Sequence, residues 1–262
     1  MKATLEEGVS KTLFIPLAAR ANELKQNNPV VRDEKAAEIA SLTDLGDYVV
    51  DGGEIATLGI LARTRVIDDT LEALLAGKPD LTLLSLGVGL DTRISRMDNG
   101  RIQSYELDLP EVIALRREYF EETERIHFIA ASALDEAWVR HLEGISPNKM
   151  LILAEGLLMY FTVEEVKRLF NMLAKHFPGA QMLFDVVHSF FVGKGISHPF
   201  LWGLDKAQHI EGLNPHIRLI KAWSMGNLLK ERQSPLMRIM NLLPSTRNRS
   251  QILHIEFKDH KE

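Results

Sequence analysis

Leu81-Thr82-Leu83-Leu84-Ser85-Leu86-Gly87-Val88-Gly89-Leu90-Asp91-Thr92-Arg93 is the stretch on which the reading of the fold turns. Its first part, Leu81–Leu86, is a short run apolar on both faces, the mark of a strand buried in a parallel sheet. Two glycines follow at once. They let the backbone turn sharply and approach a ligand closely, with a helix N-terminus behind the turn. A dinucleotide fingerprint would place a third small residue at position 92, for close helix–strand packing over a pyrophosphate. Thr92 stands there, which counts against a nicotinamide or flavin enzyme. A strand-to-helix turn with no ligand is the bland alternative.

Working outward, Ile102–Leu107, His127–Ala131, Met150–Glu155 and Gln181–Val187 read as further strands. Between them lie helix candidates at Pro110–Thr123, Asp135–Glu143 and Thr162–His176. Short apolar strands alternating with helices indicate a parallel sheet covered on both sides. Upstream, Asp33 is placed to cap a helix through Glu34–Ala40, and Ile60 to Leu75 carries apolar residues at helical spacing. Gly77 closes that helix and Pro79-Asp80 turns the chain. Downstream come an irregular His- and Phe-rich stretch from His188 to His216, a strand near Arg218–Trp223 and a helix around Pro235–Leu243. The last segment, Gln251–Phe257, alternates in the manner of an antiparallel or edge strand. The expected fold class is α/β: a doubly wound, mostly parallel seven-stranded sheet with an N-terminal helical cap. No repeat, low-complexity tract or linker splits the chain. One domain is therefore expected, with a cap over 1–77, a core over 78–187 and a third part over 188–262.

Composition narrows the chemistry. Among 262 residues there is no cysteine, which removes disulfides, thiolate metal sites, iron–sulfur clusters and cysteine nucleophiles. The net charge of −5 gives no electrostatic footprint for nucleic acid. No apolar stretch approaches the roughly 18 residues a membrane span needs. Leu13–Ala19 is apolar and Ala19-Arg20-Ala21 mimics a signal-peptidase site, but Pro16 interrupts the run and Glu6 and Glu7 precede it. A cytoplasmic protein is expected. The nine histidines show no close-spaced pair with carboxylates on one face, so no metal site is expected.

Carboxylates stand at two further strand ends. Glu106 and Asp108 lie about twenty residues beyond Gly87, where an acid accepts hydrogen bonds from ribose hydroxyls. Strand alternation points both the same way; capping of the helix begun by Pro110 is the alternative for Asp108. Glu155 ends an apolar strand in the crevice where open α/β sheets bind ligands. Buried carboxylates are rare unless paired, so Glu155 calls for a partner such as a cation. Met159 and Tyr160 fit core or ligand contact equally. Arg93, Arg96, Arg116 and Arg117 read as helix-face charges in solvent, with Arg93 set apart as a partner for Asp91 or a neighbouring acid.

Together these pieces resemble the leucine carboxyl methyltransferase superfamily, in particular its bacterial branch acting in polyketide biosynthesis. The resemblance runs from about Thr12 to Asp185. It rests on Leu13–Ala21 (LFIPLAARA), Leu86–Arg93, Glu106–Val112 (ELDLPEV) and Ala154–Phe161 (AEGLLMYF). It implies a class I, Rossmann-like fold that binds S-adenosylmethionine and releases S-adenosylhomocysteine. By family pattern Gly87 and Gly89 pass under the methionine moiety and Asp108 takes the ribose hydroxyls. Ser132 and Ala133 flank the adenine, with Asp135 as an alternative contact. Glu155 lies near the methionine amino group, and Arg63, with Arg65 as competitor, pairs with the methionine carboxylate. Lys11 is the nearest match to an N-terminal lysine serving the same carboxylate.

The reaction so implied is an O-methyl transfer to a carboxylate or hydroxyl of a small, polyketide-like acceptor. A carboxylate is already ionised at pH 7 and needs no base. A phenol would profit from one; His188 is then the first candidate, with His198, His209 and His216 behind it. No catalytic residue is assigned. Phe190–Trp202 reads as a lid or wall of an apolar acceptor pocket, or else as a surface excursion serving a homo-oligomer contact. Two other classes stay open at this point: a nicotinamide-dependent oxidoreductase and a non-catalytic S-adenosylmethionine-binding module.

Overall fold

The computed structural model describes residues 13–43, 53–194 and 198–258, and of Pro244 and Ser245 only the backbone. Lys11 and Gly195 lie outside the described residues. Seven strands form one sheet: β1 (Thr82–Leu86), β2 (Gln103–Asp108), β3 (Ile126–Ala130), β4 (Met150–Ala154), β5 (Gln181–Val187), β6 (Ile217–Ser224) and β7 (Ser250–Phe257), in the order β3-β2-β1-β4-β5-β7-β6. The first five are parallel, and β7 runs antiparallel between β5 and β6. The last strand is thus antiparallel but interior; β6 is the edge. Order reverses between β1 and β4, which creates the crevice at their carboxyl ends.

Strand alternation divides the core in two. Leu84, Leu86, Ile152, Ala154, Met182 and Phe184 face one side, where α6 (Val163–His176) contributes Val166, Leu169, Phe170 and Leu173. Leu83, Leu151, Leu153 and Leu183 face the other, against Val66, Ile67 and Leu71 of α3 (Gly53–Gly77). Both faces are covered, so every strand residue from Met150 to Ala154 is buried. The N-terminal α1 (Phe14–Glu23) and α2 (Glu34–Leu42) pack with Leu90 over the glycine turn. Asp33 caps α2 by accepting from the Ala36 amide at 2.9 Å. Thr162 starts α6 with a reciprocal capping box to Glu165.

Three helices near the site take forms that the sequence pattern does not specify. α4 is only Arg93–Met97, so no long helix N-terminus backs the glycine turn. α5 stops at Arg116 because residues 117–125 fold back to deliver β3, where Glu122 accepts from the Phe128 amide at 2.8 Å. The segment over Asp135–Glu143 is a 3₁₀ helix, Glu136–Leu142, with Trp138 stacked near Phe177. α7 (Pro235–Met240) and α8 (Pro244–Arg247) lead into β7. No described helix is long and apolar enough to cross a membrane.

Candidate active site

A cavity of about 630 Å³ opens at the carboxyl ends of β1, β4 and β5. Of the residues singled out from the sequence, Arg63, Gly87, Gly89 and Glu155 line it. Asp108 is not in the lining but holds the glycine turn that is. Its carboxylate accepts from the Gly89 amide at 2.7 Å and from the Leu109 amide at 2.8 Å. It therefore does not cap α5 but braces the turn, and burial pushes its carboxyl above the ordinary range. Ser132 and Ala133 follow β3 outside the cavity lining. The Ser132 hydroxyl accepts from the Leu134 amide, the Ala133 carbonyl from the Trp138 indole, and Asp135 from the Ala137 amide.

Gly87 and Gly89 have φ of 65° and 52°, values that favour glycine because a Cβ would crowd the following carbonyl. A Cβ on Gly87 would also meet Leu157 Cδ1 at 2.9 Å. Both positions thus favour glycine by backbone shape.

Around this turn runs a row of alternating charges. Arg20 Nε donates to Asp33 at 2.8 Å, and Arg96 bridges Asp33 and Asp68 at 2.7 and 2.8 Å. Arg93 bonds Asp68 and Glu155, each at 2.7 Å, and also pairs with Asp91. Arg63 then ties Glu155 at 2.8 Å to Asp185 at 2.7 Å, and Asp185 also accepts from the Gly156 amide at 2.6 Å. Burial opposes ionisation of Glu155, but the Arg63 and Arg93 guanidinium groups overcome it and hold its carboxyl well below the usual range. The same carboxylates hold Arg63 and Arg93 firmly protonated against burial.

Several of these members were not legible in the sequence. Arg96 and Arg116, read as solvated, are both buried or nearly so. Arg116 donates to Glu106 at 2.7 Å and to the Gly89 and Asp91 carbonyls. Glu106 is thereby committed to bracing the turn. Thr92 is fully buried and its hydroxyl donates to Asp33, which ties the glycine turn to the cap. Asp185 was missed although a lone aspartate inside Met182–Val187 carries the same signal as Glu155. Arg65, the competitor of Arg63, is exposed and pairs with Asp69.

Much of the remaining cavity lining is apolar. Ile15, Pro16, Met159, Phe191, Phe200 and Met225 contribute to it together with Tyr160, whose phenol burial and Asp185 hold above its ordinary value. Phe191 and Phe200 bring parts of the stretch Phe190–Trp202 to this wall, while Trp202 is buried in the core. His188, His198, His209 and His216 are not among the lining residues, and the His188 ring accepts from the Phe190 amide at 3.2 Å.

Residues 14–174 match the family model described as leucine carboxyl methyltransferase. The tetracenomycin polyketide synthesis O-methyltransferase TcmP of Streptomyces glaucescens is 28% identical over 228 residues, 83% of each chain. The S-adenosyl-L-methionine-dependent methyltransferase dpfgK of Gibberella zeae is 29% identical over 246 residues, 83% of this chain and 82% of that one. Among solved structures, 1,6-didemethyltoxoflavin-N1-methyltransferase of Burkholderia thailandensis superposes with a TM-score of 0.51 at 18% identity, over 86% of this chain and 90% of that one. That likeness shows the fold, a seven-stranded α/β sheet shared with S-adenosylmethionine-dependent methyltransferases. The matched span covers three of the four motifs and all but Leu13 of the first, and it assigns this chain to the leucine carboxyl methyltransferase family.

Proposed function

We propose that the protein is an S-adenosylmethionine-dependent O-methyltransferase acting on a carboxylate or hydroxyl of a small, polyketide-like acceptor. The family match over 14–174, with the cavity at the β1/β4 switch point, carries the reading.

The residues present fit that cofactor. Arg63 lines the cavity and its Nη2 has no hydrogen-bond partner among the described residues, which leaves donors for a carboxylate. The Asp108 carboxylate offers acceptors for a ribose diol. The row of charges sets four arginines, Arg20, Arg63, Arg93 and Arg96, against five carboxylates, Asp33, Asp68, Asp91, Glu155 and Asp185. Its balance of one negative charge complements a ligand that carries a sulfonium, an ammonium and one carboxylate. Gly87 and Gly89 keep the backbone bare beneath it, and Ser132 and Ala133 flank the adenine in this reading.

When bound, S-adenosylmethionine supplies a methyl group activated by its sulfonium. The chain's own residues position and shield. Glu155 and Asp185 hold the Arg63 guanidinium in place, and the apolar wall excludes water from the acceptor side. Such positioning is worth as much as about 7–11 kcal/mol in favourable cases. A carboxylate acceptor arrives ionised, so no base is required of the wall.

The same reading takes 1–77 as cap, 78–187 as cofactor-holding core and 188–262 as acceptor side of one domain. It takes the protein as cytoplasmic, with no nucleic-acid partner at a net charge of −5 and with Phe190–Trp202 at the acceptor pocket rather than a homo-oligomer contact. Titration calorimetry with S-adenosylhomocysteine tests it: saturable binding is expected, and none at millimolar ligand refutes it. Quenching by bound NADH instead would return the nicotinamide class. Binding with no transfer of labelled methyl to any acceptor would leave a non-catalytic module.

A further inference from the structure

Among the described residues, every cation lining the cavity is matched by a carboxylate except two. Arg20, Arg63 and Arg93 belong to the row of charges. Lys194 sits exposed over the Phe190 ring, 3.3 Å from its centroid. Arg249 is different. It is half-buried, lines the cavity, and among the described residues bonds only neutral oxygens: Nε to the Thr246 carbonyl at 2.9 Å and Nη2 to Asn241 Oδ1 at 3.4 Å. Burial, with no carboxylate to offset it, holds its guanidinium below the ordinary arginine value.

The group is held in place by buried neighbours. Asn241 donates to Gln233 Oε1 at 3.0 Å, and Gln233 donates to the Gly226 and Leu228 carbonyls at 3.2 and 2.7 Å. Both amides are under a tenth exposed and both line the same cavity. Topology explains how a residue so late in the chain arrives there. Because β7 runs antiparallel to β5, its first residue, Ser250, pairs with Val187, the last of β5. Arg249 therefore stands at the edge where the parallel strands end, and its carbonyl accepts from the His188 amide at 2.9 Å. Its Nη1 has no partner among the described residues. A half-buried, preorganised guanidinium with no carboxylate partner among the described residues is a receptor for a planar anion.

We propose that Arg249 is a specificity-determining residue that selects acceptors bearing a carboxylate on an apolar, aromatic-sized body. The inference rests on the methyltransferase reading and narrows its acceptor from "carboxylate or hydroxyl" to an anion read by this side chain. Gln233 and Asn241 act as positioning residues through it.

The test uses the full chain and a set of probes: benzoate, naphthoate and anthracene carboxylate, each against its primary amide. Affinities are read by ligand-observed NMR and calorimetry, with and without S-adenosylhomocysteine. The acids are expected to bind about tenfold or more tightly than the amides. R249Q abolishes that preference, R249K restores part of it, and K194Q leaves it intact. Equal affinity for acid and amide overturns the proposal, as does failure of every acid to bind or survival of the preference in R249Q. If S-adenosylhomocysteine itself does not bind, the methyltransferase reading falls, while the acid–amide comparison without it still decides this one.

Discussion

Replacing Arg63 by methionine removes the cation that joins Glu155 to Asp185. Arg63 is 12% exposed and its two partners 13% and 2%, so solvent does little to screen the loss. Glu155 keeps Arg93, but Asp185 is left buried with only the Gly156 amide. Breaking a buried pair this way costs about 3–5 kcal/mol, mostly through the stranded charge. For a chain of this size that corresponds to a fall in Tm of roughly 6–20 °C. D185N removes the stranded charge, so R63M/D185N should recover about 1–3 kcal/mol relative to the sum of the single changes. The pH dependence has a definite sign. The folded Glu155 carboxyl lies below its ordinary value of 4.5, so the unfolded chain binds the extra proton first as pH falls. The stabilisation is full above pH 4.5 and lost progressively below it, and the gap between wild type and R63M narrows there. Thermal melts across pH and S-adenosylhomocysteine titrations provide the readouts, with affinity down roughly 10- to 100-fold for loss of a charged hydrogen bond. An R63M protein that melts within a few degrees of wild type, or strict additivity in the double variant, would refute the reasoning.

Three more outcomes are expected. His254 is buried against Gln181 at 2.9 Å, and burial, with a small push from Lys221 and against Glu256, lowers its pKa from 6.5 to about 4. Between those values only the unfolded chain carries the proton, so stability rises with pH from 4 to 6.5; H254Q should flatten that slope, worth at most about 3 kcal/mol, in melts at pH 4.5 and 7. G87A forces a left-handed alanine into Leu157 and should cost about 1–2 kcal/mol of stability while abolishing S-adenosylhomocysteine binding in calorimetry. R116M strands the buried Glu106 and should lower stability by about 3–5 kcal/mol, whereas E106Q/R116M regains a large part of it in the same melts.

Much of the sheet was written locally. Gln181–Val187 forms a strand with the bounds its apolar run indicates, and Asp33 and Thr162 cap the helices they precede. Glu155 announced a cation partner because an acid after five apolar strand residues has few other ways to be buried. The same argument applied to Asp185 would have found it. Arg96 and Arg116 could not be found this way, because an arginine on a short helix looks alike whether its partner is water or a carboxylate on a distant strand.

What the linear chain determined by itself is therefore the α/β class, the glycine turn after β1 and the acids at the ends of β2 and β4, since each depends on a handful of neighbouring residues. Tertiary structure alone decided which charges meet: Arg63 reaches Asp185 across 122 positions, and Arg249 enters the crevice only because β7 is reversed. The physical reason is that strand and turn formation respond to local sterics and burial. Charge pairing instead responds to distance in space, and the sheet's winding sets that distance.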